Sequence, residues 1–291
     1  MKNNQVFKEH LKQVGVELTN LQHEQLDKYY EILVEWNEFM NLTGITEYDE
    51  VNQKHFVDSL VLKTPMCGYV NQDIANYLDL KIENVVVEGK GLRFINDKEI
   101  DQNSIEHFKK SIKQIDLLLN KSDIKLIDVG TGAGFPGLPL KIAYPEMNVV
   151  LLDSLNKRIK FLDEVINQLK LKNVKAVHGR AEEAARNKEY REQFDISVSR
   201  AVANLASLVE YNLPFVKIGG YFIAYKSGTV DEELMNSKKA VQTLGGEIDL
   251  VCRFHLPDSD IERSLVFVRK VKSTSKKYPR KAGLPTKEPI A

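Results

Sequence analysis

Lys125-Leu126-Ile127-Asp128-Val129-Gly130-Thr131-Gly132-Ala133-Gly134-Phe135-Pro136-Gly137 is the stretch on which the rest of this chain depends. It begins with a short apolar run and an acid, continues with three alternating glycines, and ends at the start of a helical pattern. This order predicts a strand, a tight glycine-rich turn and a helix. Glycine is needed where the backbone turns with positive φ or passes close to a ligand. Since open α/β sheets bind nucleotides at the carboxyl ends of their strands, the stretch predicts a site for a nucleotide-like cofactor.

Two cofactors fit this loop. Gly132-x-Gly134-x-x-Gly137 matches the fingerprint of dinucleotide-binding proteins. Asp128-x-Gly130-x-Gly132-x-Gly134 is the pattern that S-adenosylmethionine (SAM) methyltransferases use. A tight turn without a ligand is the third interpretation, although three alternating glycines are costly for that purpose. The loop alone therefore leaves NAD and SAM in competition.

The composition is that of a globular protein. The 291 residues are 43% hydrophobic and 28% charged, and Lys plus Arg balance Asp plus Glu at 41 each. No apolar run approaches the roughly 20 residues of a membrane span, and the N-terminus has no hydrophobic signal core, so we expect a cytoplasmic protein. Cys67 and Cys252 are far apart and have no nearby His in the sequence, which argues against a disulfide framework and against a metal site.

The balanced charge hides a basic C-terminal tail. Residues 269–291 carry eight Lys or Arg against Glu288 alone. A tail of this kind either keeps a terminus soluble or binds RNA phosphates, and the charge by itself does not decide between the two.

We expect four regions along the chain: N-terminal helices at 1–65, an inserted segment at 66–122, the cofactor-binding domain at 123–271 and the basic tail at 272–291. The first region carries a capping-box pattern, Thr19-x-x-Gln22, and a second helix is expected from about Thr46 to Lys63. In the inserted segment, residues 85–95 predict a β-hairpin and Asn103 or Ser104 caps a helix.

Strands and helices alternate regularly after residue 123. Strands are predicted at 124–129, 148–153, 174–178, 194–199, 219–226, 247–253 and 263–270, and helices near 136–144, 156–171, 181–191, 202–213 and 231–244. This alternation predicts a parallel sheet with helices on both faces. The last two strands have only a short link, with no room for a crossover helix, so they should pair antiparallel. We expect an α/β fold of the Rossmann-like class I SAM-dependent methyltransferase type, with seven mostly parallel strands and an antiparallel last strand, plus N-terminal helices and an inserted α/β segment.

Acidic residues follow two of these strands. Asp153 ends the second strand, where its two oxygens lie at the mouth of the cleft and accept hydrogen bonds from ribose hydroxyls. The alternative is that Asp153 caps the next helix. Ala181-Glu182 follows the third strand, where a small residue and an acid fit beside an adenine ring or simply begin a helix.

Arg200 ends the fourth strand, at the position that faces the transferred group in such sheets, and a cation there binds a carboxylate or a phosphate. The region lacks the motif with which many methyltransferases hold an exocyclic amine, and no Cys stands where a nucleophile is needed. A ring nitrogen with a free lone pair, such as guanine N7, needs only alignment and exclusion of water. His55, Asp58 and Ser59 lie within about one helical turn of one another. Their spacing alone fits a surface face, a helix cap or a functional site.

Several motifs together resemble the RsmG (GidB) family. The matching stretches are Asp128–Gly137, Asp153–Arg158, Arg180–Glu182, Ser199–Ala203, Asn41–Thr43, the helix with His55, Asp58 and Ser59, and Tyr278–Gly283. Members of this family use SAM to methylate N7 of a guanine in 16S ribosomal RNA. The resemblance covers about residues 20–65 and 123–285, and it implies direct in-line transfer without a covalent intermediate.

The resemblance also implies roles for individual residues. Cofactor binding falls to Gly130, Gly132, Gly134, Phe135, Asp153, Ser154, Leu155, Ala181, Glu182 and Arg200. The candidate catalytic residues are Arg200, His55 and Asp58, and no metal is expected. The residues expected to meet rRNA phosphates, within the 30S subunit or an assembly intermediate, are Lys276, Lys277, Arg280 and Lys281. We expect the protein to act as a monomer.

Residues 66–122 depart from the family pattern, because in the family the helix with the His and Asp leads quickly into the first strand. The inserted segment leaves the SAM motifs intact, so it bears on substrate engagement more than on the cofactor. Two other functions remain open: an NAD(P)-dependent oxidoreductase that uses Gly132, Gly134 and Gly137, and a non-catalytic rRNA-binding assembly factor.

Overall fold

The computed structural model describes residues 5–63, 85–86, 93–94, 102–228 and 230–290. The strands are β1 (Val85–Val86), β2 (Arg93–Phe94), β3 (Lys125–Val129), β4 (Asn148–Asp153), β5 (Val174–His178), β6 (Phe194–Arg200), β7 (Val216–Ser227), β8 (Gly246–His255) and β9 (Glu262–Lys270). β1 and β2 pair antiparallel, as the predicted hairpin requires. The other strands form one sheet in the order β5-β4-β3-β6-β7-β9-β8.

The strand before the glycine loop, β3, lies at the centre of this sheet. It pairs parallel with β4, where Asp128 lies opposite Leu151, and with β6, where Asp128 lies opposite Val198. Because the chain first extends the sheet on one side of β3 and then on the other, the strand order reverses beside β3. Ligands of open α/β sheets bind at this reversal, outside the carboxyl ends of the strands. The topology therefore brings the glycine loop, Asp153 and Arg200 to one edge of the sheet.

The antiparallel strand is β9, which lies between β7 and β8 and pairs antiparallel with both. The short link before it folds as a tight turn, in which the Leu256 amide donates to the Ile261 carbonyl at 3.0 Å. The predicted seven-stranded, mostly parallel sheet with an antiparallel last strand is confirmed. It is the strand arrangement of a class I methyltransferase.

The helices are α1 (Gln5–Gln13), α2 (Asn20–Met40), the composite α3 (48–63), α4 (Gln102–Leu119), α5 (Gly137–Ala143), α6 (Asn156–Gln168), α7 (Ala181–Ala184), α8 (Leu205–Asn212), α9 (Asp231–Thr243) and α10 (Leu284–Lys287). The helix predicted at 181–191 is wrong in length, because α7 ends at Ala184. Beyond it, the Asn187 side chain accepts a hydrogen bond from the Glu189 amide at 3.0 Å and holds a turn instead. Within the described parts of the chain, no helix combines the length and apolarity needed to cross a membrane.

The N-terminal helices pack against one face of the sheet domain. The predicted capping box is confirmed, with Thr19 and Gln22 bonded reciprocally at the start of α2. Tyr29 of α2 and Phe56 of α3 are fully buried in the same hydrophobic cluster as Phe161 of α6. Full burial of a large apolar side chain stabilises a fold by about 1.5–3 kcal/mol. These shared contacts fix α3 above the carboxyl ends of the strands.

The helix α3 changes its winding midway. It is α-helical over Tyr48–Val51, π-helical over Asn52–Val57, α-helical over Asp58–Leu60 and 3₁₀ over Val61–Lys63. Short π-helical turns occur frequently at functional sites. The predicted helix from about Thr46 to Lys63 is thus confirmed, and its π-helical turn carries His55 just before Asp58.

The predicted helix of the inserted segment is α4, but the predicted cap is wrong, because Asn103 and Ser104 both lie within the helix. Its Ile115, Leu118 and Leu119 are buried in the main hydrophobic cluster. The Ser111 hydroxyl donates to the Asp249 carboxylate of β8 at 2.9 Å. The end of the inserted segment therefore packs onto the sheet domain beside β8.

Candidate active site

The glycine loop after β3 has the backbone that its sequence predicts. Gly130, Gly132 and Gly134 have φ angles of 74°, 62° and 96°, in the region that favours glycine. A Cβ at Gly134 would lie 2.5 Å from Leu138 Cδ1 and 2.7 Å from the Tyr29 hydroxyl, whereas a Cβ at Gly132 would meet nothing within 4 Å. Gly134 is therefore required for packing, and the space over Gly132 is open.

Two aspartates hold this loop. Asp128 Oδ2 accepts hydrogen bonds from the Thr131 hydroxyl at 2.6 Å and from the Gly137 amide at 2.8 Å. Asp128 is fully buried, and burial raises the pKa of its carboxyl to about 6. Asp153 Oδ2 accepts from the Gly132 amide at 2.9 Å. The acid expected at the cofactor ribose is therefore also the anchor of the loop.

A cavity of about 290 Å³, here called cavity A, opens between the glycine loop, the ends of β4 and β5, and the C-terminal tail. It is lined by Val129, Gly130, Leu152, Asp153, Ser154, Gly179, Arg180, Ala181, Glu182, Val202, Tyr211, Gly283 and Thr286. The structure thus brings together five of the predicted cofactor residues: Gly130, Asp153, Ser154, Ala181 and Glu182. The other five predicted cofactor residues, Gly132, Gly134, Phe135, Leu155 and Arg200, are not among the described residues that line it, although Leu155 is 42% exposed beside Ser154.

The tail side of cavity A was missed by the sequence reasoning. Glu182 is only 6% exposed, and its Oε1 accepts a hydrogen bond from the Gly283 amide at 2.8 Å. The Tyr211 hydroxyl lies 2.7 Å from the Thr286 hydroxyl. The only sequence signal for these contacts was the resemblance of Tyr278–Gly283 to the family, which pointed to RNA instead.

A second cavity, cavity B, of about 300 Å³, lies on the other side of the segment 200–202. It is lined by Ile45, Lys54, His55, Asp58, Arg200, Ala201, Tyr225, Lys226, Ser227 and Arg263. Ala201 faces cavity B and has a left-handed φ of 57°, while Val202 faces cavity A. The end of β6 therefore separates the two cavities.

The three candidate catalytic residues meet in cavity B. Arg200 Nη1 lies 3.0 Å from Asp58 Oδ2, and Arg263 Nε lies 2.8 Å from Asp58 Oδ1. Only 4% of the Asp58 side chain is exposed, so its charge is neutralised by two cations in a partly dry site. Arg263 comes from β9, 205 residues away in the chain, and no sequence pattern pointed to it.

His55 is held as a neutral imidazole. Its Nδ1 lies 3.4 Å from Arg200 Nη2, and its Nε2 lies 2.8 Å from the Thr43 hydroxyl. Because a guanidinium only donates, Nδ1 is the acceptor and Nε2 carries the hydrogen. Burial, with the nearby Arg200 charge, lowers the pKa of His55 to about 3. The family motif Asn41–Thr43 thus supplies the partner that fixes this ring.

Phe135 connects the glycine loop to cavity B. Its ring stacks on His55 with centroids 4.6 Å apart and on Tyr29 at 5.4 Å, and the Arg200 guanidinium lies 5.1 Å from its centre. The Tyr29 hydroxyl donates to the Ala133 carbonyl of the loop. Phe135, predicted to contact the cofactor, is buried between the loop and the His55–Arg200 pair. It therefore links the glycine loop beside cavity A to the side chains of cavity B.

The tail residues predicted to bind RNA fall into two groups. Lys276, Lys277 and Lys281 are exposed. Arg280 is partly exposed and is already paired, because its Nε and Nη2 donate to Glu210 at 3.0 and 2.7 Å. Glu210 is buried, so this contact anchors the tail to the domain, and RNA binding by Arg280 stays a prediction.

Comparisons with known proteins show the family of this chain. The family model GidB, rRNA small subunit methyltransferase G, matches residues 22–80 and 70–265. Ribosomal RNA small subunit methyltransferase G of Lachnoclostridium phytofermentans is 49% identical over 290 residues, covering 100% of this chain and 98% of that protein. The protein of the same name from Alkaliphilus oremlandii is 44% identical over 285 residues, covering 98% of each chain. Both alignments extend through the inserted segment, which is therefore not peculiar to this chain. The chain belongs to the SAM-dependent rRNA small subunit methyltransferase G family, as its motifs predicted.

Proposed function

We propose that this protein transfers the methyl group of SAM to N7 of one specific guanine in 16S rRNA, in a direct in-line step without a covalent intermediate. The observation that carries the proposal is that the acids and bases described around cavity B are already engaged by protein partners. Methylation of an exocyclic amine needs a base that removes a proton. Guanine N7 offers a lone pair and has no proton to lose.

The titratable side chains described around cavity B have protein partners. Asp58 lies between Arg200 and Arg263, and His55 turns its lone pair toward Arg200. The Tyr225 hydroxyl donates to the Ser59 carbonyl at 3.1 Å, and burial raises its pKa well above the ordinary value. The ion pairs of the two lysines are Lys54 with Glu50 at 2.5 Å and Lys226 with Glu233 at 2.8 Å. These paired side chains can hold the target guanine in place. The lone pair on its N7 then acts as the nucleophile without a proton acceptor from the protein.

Cavity A fits the adenosine part of SAM. Carboxylates such as Asp153 and Glu182 accept hydrogen bonds from ribose hydroxyls and from an adenine amino group. The open space over Gly132 admits a ligand backbone or sugar against the loop. Bound SAM supplies a methyl group on a positively charged sulfur, which leaves as a neutral thioether. Arg200, between the cavities, would face the methionine end and help to align N7 with the methyl carbon.

We further propose that the exposed Lys276, Lys277 and Lys281 bind rRNA phosphates, and that the protein acts as a monomer on a 30S subunit or an assembly intermediate. In this scheme the N-terminal region 1–65 covers the cleft, since α3 supplies His55 and Asp58. The domain 123–271 binds SAM and the tail 272–291 contacts RNA. Helix α4, at the end of the inserted segment 66–122, lies beside β8.

The experiment is mass spectrometry of 16S rRNA from cells that lack this protein, before and after incubation with the purified enzyme and SAM. We expect 7-methylguanosine to be missing at one position and restored by the enzyme. Unchanged modification would contradict the proposal. Calorimetry with SAM and with NAD tests the oxidoreductase alternative, for which NAD binding without SAM binding is the supporting result.

A further inference from the structure

The C-terminal segment 278–287 forms one wall of cavity A. Gly283 and Thr286 line the cavity together with Asp153 and Ser154. The Gly283 amide donates to Glu182 Oε1 at 2.8 Å, and the Thr286 and Tyr211 hydroxyls lie 2.7 Å apart. The orientation of Glu182, the acid expected beside the adenine, is therefore set by a residue of the tail.

This segment is fixed to the domain by buried contacts. The Arg280 amide donates to Glu210 Oε1 at 2.7 Å, and its guanidinium donates to both oxygens of the same carboxylate. The Glu210 side chain is only 1% exposed. The Ser207 hydroxyl donates to the Pro285 carbonyl at 2.8 Å, and Pro285 is itself buried. Bonds from Arg to carboxylate in such a setting are among the stronger hydrogen bonds of proteins. The segment thus has a defined seat, which differs from the solvated tail that its charge suggested.

The same segment carries or adjoins the exposed lysines. Lys281 lies between the Arg280 anchor and the Gly283 contact, and Lys276 and Lys277 precede Tyr278 directly. The Arg186 and Arg191 side chains donate to backbone carbonyls of residues 274–279 and hold this part against the domain. A ligand in cavity A that contacts Thr286 therefore also restricts the backbone that carries the exposed lysines.

We propose that residues 278–287 are part of the cofactor site and that they couple SAM binding to RNA binding by the adjoining lysines. This inference rests on the proposed function, because it takes cavity A to be the SAM site. SAM that contacts Glu182 and Thr286 stabilises the seated segment, which presents the lysines in one arrangement. Coupling of this kind is reciprocal, so RNA on the lysines strengthens SAM binding by the same factor.

The test is calorimetry of SAM binding to full-length variants. Arg280→Glu places a second carboxylate beside Glu210 and should release the segment, and we expect SAM affinity to fall by about tenfold or more. Lys272→Glu makes the same change of charge at an exposed residue of the tail, and it should leave SAM affinity unchanged. Thr286→Val keeps the shape and removes only the hydroxyl that meets Tyr211, so it should weaken SAM binding by about threefold without a loss of fold.

Coupling is tested by repeating the titrations with unmodified 16S rRNA present. The natural chain should bind SAM more tightly with RNA than without it, and Arg280→Glu, checked for folding by thermal melting, should lose this difference. If the natural chain binds SAM but Arg280→Glu and Thr286→Val bind it equally well, the inference is wrong while the proposed function stands. Equal SAM affinity of the natural chain with and without RNA would contradict the coupling. Failure of the natural chain to bind SAM would overturn the proposed function itself.

Discussion

Arg200 and Asp58 form an ion pair of 3.0 Å across 142 residues of sequence, and this pair joins the end of β6 to the covering helix α3. Arg263 completes the cluster from β9, at 2.8 Å from the other oxygen of Asp58. Three separate elements are thus tied at one buried carboxylate. The relative position of these elements around cavity B therefore depends in part on that charge.

Replacement of Asp58 by Asn should damage both stability and turnover. The variant leaves Arg200 and Arg263 close together without their counter-charge, and loss of one partner of a buried pair costs about 3 kcal/mol or more. Displacement of Arg200 should slow methyl transfer on the order of 10²-fold. Urea unfolding and single-turnover rates measure the two effects. Asp260→Asn, at an exposed residue, is the matched control, and equal behaviour of the two variants would contradict the role of Asp58.

His55 should make the stability depend on pH. Its pKa is about 3 in the folded protein and 6.5 in the unfolded chain, so below pH 6.5 the unfolded state binds the extra proton. The free energy of unfolding should therefore fall as the pH is lowered from 6.5 toward 3. Asp128, with a raised pKa of about 6, contributes the opposite slope between about pH 4 and 6. The difference between the natural protein and His55→Gln isolates the His55 contribution.

Urea unfolding at several pH values gives that difference. We expect the stability advantage of the natural protein over His55→Gln to grow between pH 4 and pH 6.5 and then to level off. His255→Gln, at an exposed histidine, is the matched control for the same substitution outside cavity B. A difference that stays constant with pH would show that His55 titrates normally.

The rate of methyl transfer should be insensitive to pH between about 6.5 and 8.5. The imidazole of His55 is neutral throughout this range, and the pKa of Tyr225 lies well above the ordinary value for tyrosine because of its burial. Guanine N7 has no proton to lose, so no base has to be generated. Single-turnover rates with saturating RNA and SAM provide the measurement. A rate that rises tenfold per pH unit would indicate a catalytic base that titrates in this range.

Alanine at Gly134 should cost more than alanine at Gly132. Both positions have positive φ, which costs an L-residue about 1–2 kcal/mol. Only at Gly134 does the added Cβ also collide with Leu138 and the Tyr29 hydroxyl. We expect Gly134→Ala to lose at least 1 kcal/mol more than Gly132→Ala in thermal or urea unfolding. Equal losses would mean that Leu138 and Tyr29 move away from the added Cβ without a loss of stability.

The sheet could be predicted because its signals are local. Apolar runs near residues 124–129, 148–153 and 194–199 marked the strands, and the short link before β9 required an antiparallel pair. The helix predicted at 181–191 failed because the Asn187 turn, which competes with the helix, depends on one side-chain hydrogen bond. Acids and glycines beside predicted strand ends were also visible, which is why five residues of cavity A were found.

The rest of the site depends on contacts between distant parts of the chain. Arg263 reaches Asp58 only because β9 lies between β7 and β8, and no pattern in the sequence encodes that distance. Gly283 and Thr286 reach cavity A because Arg280 on the buried Glu210 and Pro285 on Ser207 hold the segment against the domain. The basic composition of the tail predicted either a solubilising terminus or an RNA contact. Composition gives the number of charges, but it does not show which of them are paired within the protein.

The most direct test of the central claim compares unmodified 16S rRNA with the same RNA made with 7-deazaguanine, which lacks the N7 nitrogen. Both are incubated with the purified protein and SAM labelled in its methyl group. The account predicts that label enters only the unmodified RNA and is recovered as 7-methylguanosine from a single position. Equal labelling of the 7-deazaguanine RNA, or recovery of the label on another atom, would contradict it.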